Sequence, residues 1–289
     1  MVVNRLVVED YLRGVVPLEL GTRALTDRAA LEAQAVAARS YTYVRVPAGS
    51  AVPVRGWQMT ASVTNQVYGG VEVEHPLVNQ AVDATAGLVL LFNGRPVDGP
   101  YFSACGGRTA TPRDAWRDVT QEPSYLQSVD DIDPRTGKPY CDVNPRNHWV
   151  EELGEQQISD AVRRALEAQG AQRPRSAAVR AVQISARSAS GRVSALVFRT
   201  ERGDITVPAR DVRAVLRDAR GAVLSSTYFS VDRESRGGDR VNGLTLRGHG
   251  NGHGVGMCQW GAIGRARSGQ NARTILQHYY PGTTVGFAD

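Results

Sequence analysis

The sequence predicts an α+β protein in which mixed helices and antiparallel sheet form one compact core, accompanied by a helix-plus-hairpin lobe. Three observations carry this reading. An alanine-rich stretch from Arg28 to Val44 sets Leu31, Ala35, Ala38 and Thr42 at helical spacing, with Ala37, Tyr41 and Val44 beside them. Two alternating runs, Val179–Arg187 and Arg192–Thr200, flank Ser190-Gly191 and read as an antiparallel hairpin. Two further helical stretches, Met257–Ser268 and the one that Asn271 caps, close the chain before Pro281.

The elements follow in order. Asp10 is expected to cap a short turn through Val16, interrupted by Pro17, whose ring has no N–H to give a helix. Asp27 is expected to cap the long helix, which ends before Pro47. Residues 60–110 read as strands and turns, with Ala86–Phe92 a buried strand and Asn93-Gly94 a two-residue hairpin turn. Residues 112–148 form a long polar connection, and a run of that length inside a compact domain is functional or clamped. Glu155–Ala168 is an amphipathic helix ended by Gly170, and Ile205–Val207, Asp211–Leu216 and Ser225–Val231 read as strand, helix and strand. The chain divides into residues 1–149, a basic lobe at 150–235, and residues 236–289 that complete the core. No internal repeat and no low-complexity linker is visible.

At 42% hydrophobic and 22% charged residues over 289 positions, the composition is that of a globular protein and excludes disorder, collagen and coiled coil. The net charge of +5 hides an uneven distribution: residues 1–162 carry −6 and residues 163–247 carry +9. A basic block suits an anionic polymer. Nucleic acid is not the expected partner, because these arginines alternate with acids and lack interleaved aromatic platforms. No apolar run approaches the roughly 20 residues of a membrane-spanning helix. The N-terminal residues lack the basic and apolar regions of a signal peptide, so either the protein is cytosolic or an export segment lies outside this chain.

Three cysteines and no Cys-x-x-Cys argue against a zinc ribbon or a thioredoxin-type site. Cys105 and Cys141 sit in loop-like sequence; they suit a disulfide if the chain is exported, or a structural zinc together with His148. Cys258 reads as a small buried residue and Trp260 as a core side chain. The run Gly248 to Gly256 alternates glycine with His249, Asn251, His253 and Val255; period-two glycine means that another backbone or a ligand comes close. It is neither a phosphate loop nor a dinucleotide fingerprint. Glu19, between Leu18 and Leu20 after Val15-Val16-Pro17, is an acid among apolar neighbours, and desolvation favours the neutral form that a general acid requires.

Several strings resemble the stage II sporulation protein D and amidase-enhancer family. They are Asp10-Tyr11-Leu12-Arg13-Gly14-Val15-Val16-Pro17-Leu18-Glu19, the helix from Leu31 to Tyr41, Tyr101-Phe102-Ser103-Ala104-Cys105-Gly106-Gly107-Arg108-Thr109, and Pro123-Ser124-Tyr125-Leu126. Gly252-His253-Gly254-Val255-Gly256-Met257-Cys258-Gln259-Trp260-Gly261-Ala262 and His278-Tyr279-Tyr280-Pro281-Gly282-Thr283 complete the pattern. The match runs from about residue 6 to 285 and is weakest at 150–205. The resemblance implies a bacterial envelope protein, outside the cytoplasm, acting on peptidoglycan glycan strands. It implies a lytic transglycosylase with Glu19 as the single acid and base, needing no cofactor; a non-catalytic enhancer of a cell-wall amidase is the other branch. It also implies substrate contacts at Gln34, Arg39, Ser103, Gly106, Gly107, Thr109, Tyr125, His253 and Gln259, with Arg39 and His253 alternatively an ion-pair member and a loop brace. The family commonly has serine where Cys258 stands. The family's usual leader or membrane anchor is missing here, and the chain reads as a trimmed or mature form.

Overall fold

The computed structural model describes residues 3–46, 56–116, 119–172, 174 and 177–288. In chain order the elements are α1 (Val8–Glu19), α2 (Arg28–Arg45), α3 (Pro76–Ala84), β1 (Leu88–Phe92), β2 (Arg95–Pro96), β3 (Tyr101–Phe102), α4 (Pro112–Ala115), β4 (His148–Gly154) and α5 (Glu155–Ala168). There follow β5 (Val179–Arg187), β6 (Val193–Thr200), β7 (Gly203–Pro208), α6 (Ala209–Val215), β8 (Phe229–Gly237) and β9 (Arg240–His249). The last are β10 (Met257–Cys258), α7 (Gln259–Arg267), α8 (Ala272–Tyr279) and β11 (Thr284–Phe287). The fold is α+β with antiparallel sheets. It forms two compact units, one of residues 1–101, 123–127 and 256–289, the other of residues 102–122 and 128–255.

The first unit is built around α2. Its alanines Ala30, Ala33, Ala35, Ala37 and Ala38 are buried, and such small side chains let α1, α3, α7, α8 and β1 approach it closely. The expected short turn before Pro17 is instead one helix through Glu19, with Val7 and not Asp10 at its N-cap. Pro17 lies near the C-terminal end, where its missing N–H leaves one carbonyl without a helical partner, and burial of Leu12, Val15 and Val16 holds the turn in place. Asp27 does sit at the N-cap of α2, but its carboxylate accepts from Arg267 Nε at 2.7 Å and Nη2 at 2.9 Å rather than from the helix amides. The helix continues to Arg45; Pro47, the expected stop, lies outside the described residues. Helix α3 was not expected within 60–110, read as strands and turns; Pro76 sits in its first turn, where proline fits. Strand β1 pairs antiparallel with β11 and, through Asn93-Gly94, with β2.

The second unit contains the sheets β4-β9-β8 and β5-β6-β7. Leu153, Ile158, Val162, Leu196, Phe198, Val212 and Leu246 form its core with α5 and α6. Helix α5 spans Glu155–Ala168 as expected, and the β5–β6 hairpin turns around Ser190-Gly191. Strand β9 pairs Gly243–His249 with His148–Gly154 of β4. Residues 236–255 therefore belong with this unit, and the expected divisions at 149/150 and 235/236 do not coincide with the compact units. The sheet register that decides this joins segments about a third of the chain apart. The stretch 128–147 is largely irregular and clamped by backbone bonds: Thr109 N–H to Val129 O (3.0 Å), Asp131 N–H to Gly107 O (2.8 Å) and Gly250 N–H to Asn147 O (2.7 Å).

Candidate active site

Glu19 ends α1, within the first unit, and is half-buried. The segment after residue 60 returns across this helix: Gly69 N–H donates to Gly14 O at 3.1 Å, and Val67 N–H donates to Glu19 Oε1 at 2.9 Å. The absent side chain at Gly14 makes the approach possible, because a Cβ there would meet the Tyr68 ring at 2.5 Å. Gln259 and Tyr101 also hydrogen-bond the Glu19 carboxyl. Burial raises the Glu19 pKa above the ordinary carboxyl value; the Val67 amide and then the Gln259 and Tyr101 donors pull it back. The balance remains upward, so the group holds its proton to higher pH than a solvated glutamate.

A polar network supports these donors. Gln66 is fully buried; its Nε2 donates to the Tyr101 hydroxyl oxygen at 3.0 Å and to Ala38 O at 3.2 Å. That leaves the Tyr101 hydroxyl hydrogen for Glu19. Gln66 Oε1 in turn accepts from Tyr11 Oη at 3.0 Å and Thr42 Oγ1 at 3.1 Å. Gln259, from the first turn of α7, donates through Nε2 to Gln34 Oε1 at 3.3 Å. Gln34 is fully buried on α2, and its own Nε2 has no acceptor among the described residues.

The structure brings Gln259 to Glu19 and joins Gln34 to it through Gln259. Arg39 has a different task. It is fully buried; Nε and Nη2 donate to Glu9 at 2.9 and 2.7 Å, and Nη1 donates to Leu88 O at 2.9 Å. It braces α2 against α1 and β1. Tyr125, in the same unit, packs its ring on Phe92 at 5.5 Å, and burial raises its pKa. Trp260, expected in the core, is only half-buried, with the Arg23 guanidinium 4.6 Å over its ring. Cys258 caps α7: its sulfur accepts from Gly261 N–H at 3.2 Å, the bond a serine oxygen would accept.

The remaining expected site residues, Ser103, Gly106, Gly107, Thr109 and His253, belong to the second unit. Thr109 Oγ1 accepts from Val129 N–H at 2.8 Å, and His253 Nδ1 accepts from Val255 N–H at 3.1 Å. The His253 ring lies 5.4 Å from both Phe102 and Trp116. These contacts brace the loops. The alternating glycines meet the expectation of close backbone: a Cβ on Gly250 would stand 2.7 Å from Ala104 O. Cys105 and Cys141 come together with Sγ atoms 3.6 Å apart, whereas His148 turns to Asp142 Oδ1 at 3.0 Å.

Tyr101, Gln66, Tyr11 and Thr42 were not among the expected site residues. Tyr101 heads the string that runs into Cys105-Gly106-Gly107, which is a signal that was available. Gln66 and Val67 lie in an unremarkable stretch, and only the chain's return over α1 gives them their place.

The chain is similar to proteins of sporulation and cell-wall processing. The model described as stage II sporulation protein matches residues 1–92, and a domain of unknown function matches residues 142–256. An uncharacterised protein of Brachyspira hyodysenteriae is 31% identical over 99% of this chain and 68% of its own length. The amidase enhancer of Bacillus subtilis is 30% identical over 95% of this chain, which spans 40% of that relative. Stage II sporulation protein D of the same organism is 26% identical over 99% of this chain and 76% of its own length. The chain belongs to the stage II sporulation protein D and amidase-enhancer family.

Proposed function

We propose that this protein works on the bacterial cell wall as a peptidoglycan lytic transglycosylase with Glu19 as its acid and base. The observation that carries the reading is the raised Glu19 carboxyl with its three donors. Among the described residues, none of the groups that shift it is a second carboxylate. A hydrolase of the usual kind needs two carboxylates, one of them for water or for the covalent intermediate. A transglycosylase needs one, because the muramoyl 6-hydroxyl is the nucleophile.

The neutral Glu19 donates its proton to the glycosidic oxygen as the C1–O bond breaks. The carboxylate left behind is received by the Val67, Gln259 and Tyr101 donors, which cost no reorganisation at that moment. It then takes the 6-hydroxyl proton as O6 bonds to C1, which restores the acid and leaves a 1,6-anhydro end. No cofactor is required by these steps. The substrate would be glycan strands stripped of stem peptides, met outside the cytoplasm; no helix among the described residues is long and apolar enough to cross a membrane.

Incubation with denuded glycan strands and mass analysis of the products tests this. Anhydro-ended fragments that disappear with Glu19→Gln are expected. Reducing ends without the anhydro ring would mean hydrolysis. Binding with no product from any glycan would favour the non-catalytic branch, a glycan-binding enhancer of an amidase, which the name of the 30% identical relative supports.

A further inference from the structure

Within the second unit, three buried side chains from separate parts of the chain turn their ligand atoms onto one point. Cys105 follows β3, Asp131 lies in the clamped stretch, and Cys141 lies in the single helical turn Tyr140–Val143; all three are fully buried. The two sulfurs are 3.6 Å apart, and Asp131 Oδ2 is 3.2 Å from Cys105 Sγ. The three ligand atoms lie within 4.8 Å of one another. Asn147 Oδ1 is a further oxygen, 3.6 Å from Cys141 Sγ.

We propose that Cys105, Asp131 and Cys141 hold one structural Zn²⁺. Tetrahedral zinc with bonds of about 2.3 Å to sulfur and 2.0 Å to oxygen separates two sulfurs by about 3.7 Å and a sulfur from an oxygen by about 3.5 Å. The observed separations lie within a few tenths of an ångström of both. The donor set is two thiolates and one carboxylate, which is zinc chemistry rather than calcium or magnesium chemistry. The surroundings suit thiolates: Gly107 N–H donates to Cys105 Sγ at 3.3 Å, and the buried Arg192 brings its cation to Cys105 O, with Nη2 at 2.9 Å. His148, the ligand expected from sequence, is replaced by Asp131.

The metal has a task at this place. Few strands hold residues 104–107 and 131–147 together, and the Asp131–Gly107 and Gly250–Asn147 backbone bonds meet here. A zinc ion would fasten the cysteine-glycine turn to the irregular stretch and, through Asn147, to the glycine run.

The test is zinc content of the full chain, purified without chelators and without a metal-affinity step. About one zinc per chain is expected, with Cys141→Ser and Asp131→Asn each lowering zinc affinity about tenfold or more, and His148→Ala leaving it unchanged. Should the cysteine variant fail to fold, cobalt titration of the unaltered protein decides by its thiolate-to-cobalt charge-transfer absorption. Zinc far below stoichiometry with no such absorption overturns the proposal. So does an intact mass two hydrogens lighter before reduction, which would mean a Cys105–Cys141 disulfide. The outcome is independent of the glycan assay.

Discussion

Val67 N–H donates to Glu19 Oε1 across 2.9 Å, joining positions 48 residues apart in the chain. The bond fixes which oxygen of the carboxyl is occupied and sets the acid at the end of α1. It also favours the anion against a burial that favours the neutral acid, and burial prevails.

That balance has a sign in stability. The folded pKa of Glu19 is raised, so its favourable contribution is complete below the unfolded value of 4.5 and is lost as pH rises through the folded pKa. At pH 7 this contribution is diminished, because the unfolded chain ionises more readily than the partly desolvated folded carboxyl. Glu19→Gln is expected to raise Tm at pH 7, and the gain is expected to vanish below pH 4.5. A variant of lower Tm at pH 7 would contradict the raised pKa.

Catalysis should respond to the same donors. Loss of Glu19 is expected to cut product formation by about 10²–10⁴-fold, the usual contribution of a general acid or base. Gln259→Ala and Tyr101→Phe each remove a donor that favours the anion, so Glu19 would keep its proton to higher pH. The basic limb of the kcat/KM profile is expected to move upward in both. A limb that stays in place in both variants would remove Glu19 from the role of acid.

Arg39 offers a contrast between bracing and contact. Its guanidinium is wholly buried against Glu9 and two carbonyls, and Glu9 keeps a side-chain exposure of 30%. Arg39→Ala is expected to destabilise the fold by about 3–5 kcal/mol, as removal of one partner from a buried pair does. Urea unfolding measures this, and turnover per folded molecule is expected to be retained. Normal stability with weakened glycan binding would return Arg39 to the substrate contacts.

Gly256 and Gly269 make a matched pair. Both have positive φ, +78° and +87°. A Cβ on Gly256 would collide with the Pro100 carbonyl, whereas nothing lies within 4 Å of one on Gly269. Gly269→Ala is expected to cost about 1 kcal/mol of backbone strain, and Gly256→Ala clearly more. Equal losses in thermal unfolding would mean that the loop yields to the methyl group.

Much of this was legible in order along the chain. The alanine face of α2 predicted a tightly packed helix, α5 spans its predicted residues, and Asn271 caps α8 through Thr274 N–H at 2.9 Å. Glu19 stood out as an acid among apolar residues, and family resemblance set Gln34 and Arg39 on the helix beside it and Gln259 with the glycine loop. Helix α3 was obscured by Pro76, and β9 by its arginines and glycines, because both carry signals of interruption that the fold tolerates.

By itself the sequence determined the α+β class, the helices α2, α5, α7 and α8, the β5–β6 hairpin and the apolar setting of Glu19, since periodicity, caps and neighbouring polarity are local properties. Only the tertiary structure decided which donors meet Glu19, that Asp27 serves Arg267 instead of its own helix, and that Asp131 rather than His148 joins the two cysteines. Each of these joins residues brought together by chain return. Contacts of that kind depend on strand register and helix packing, which leave no periodic trace at the positions themselves.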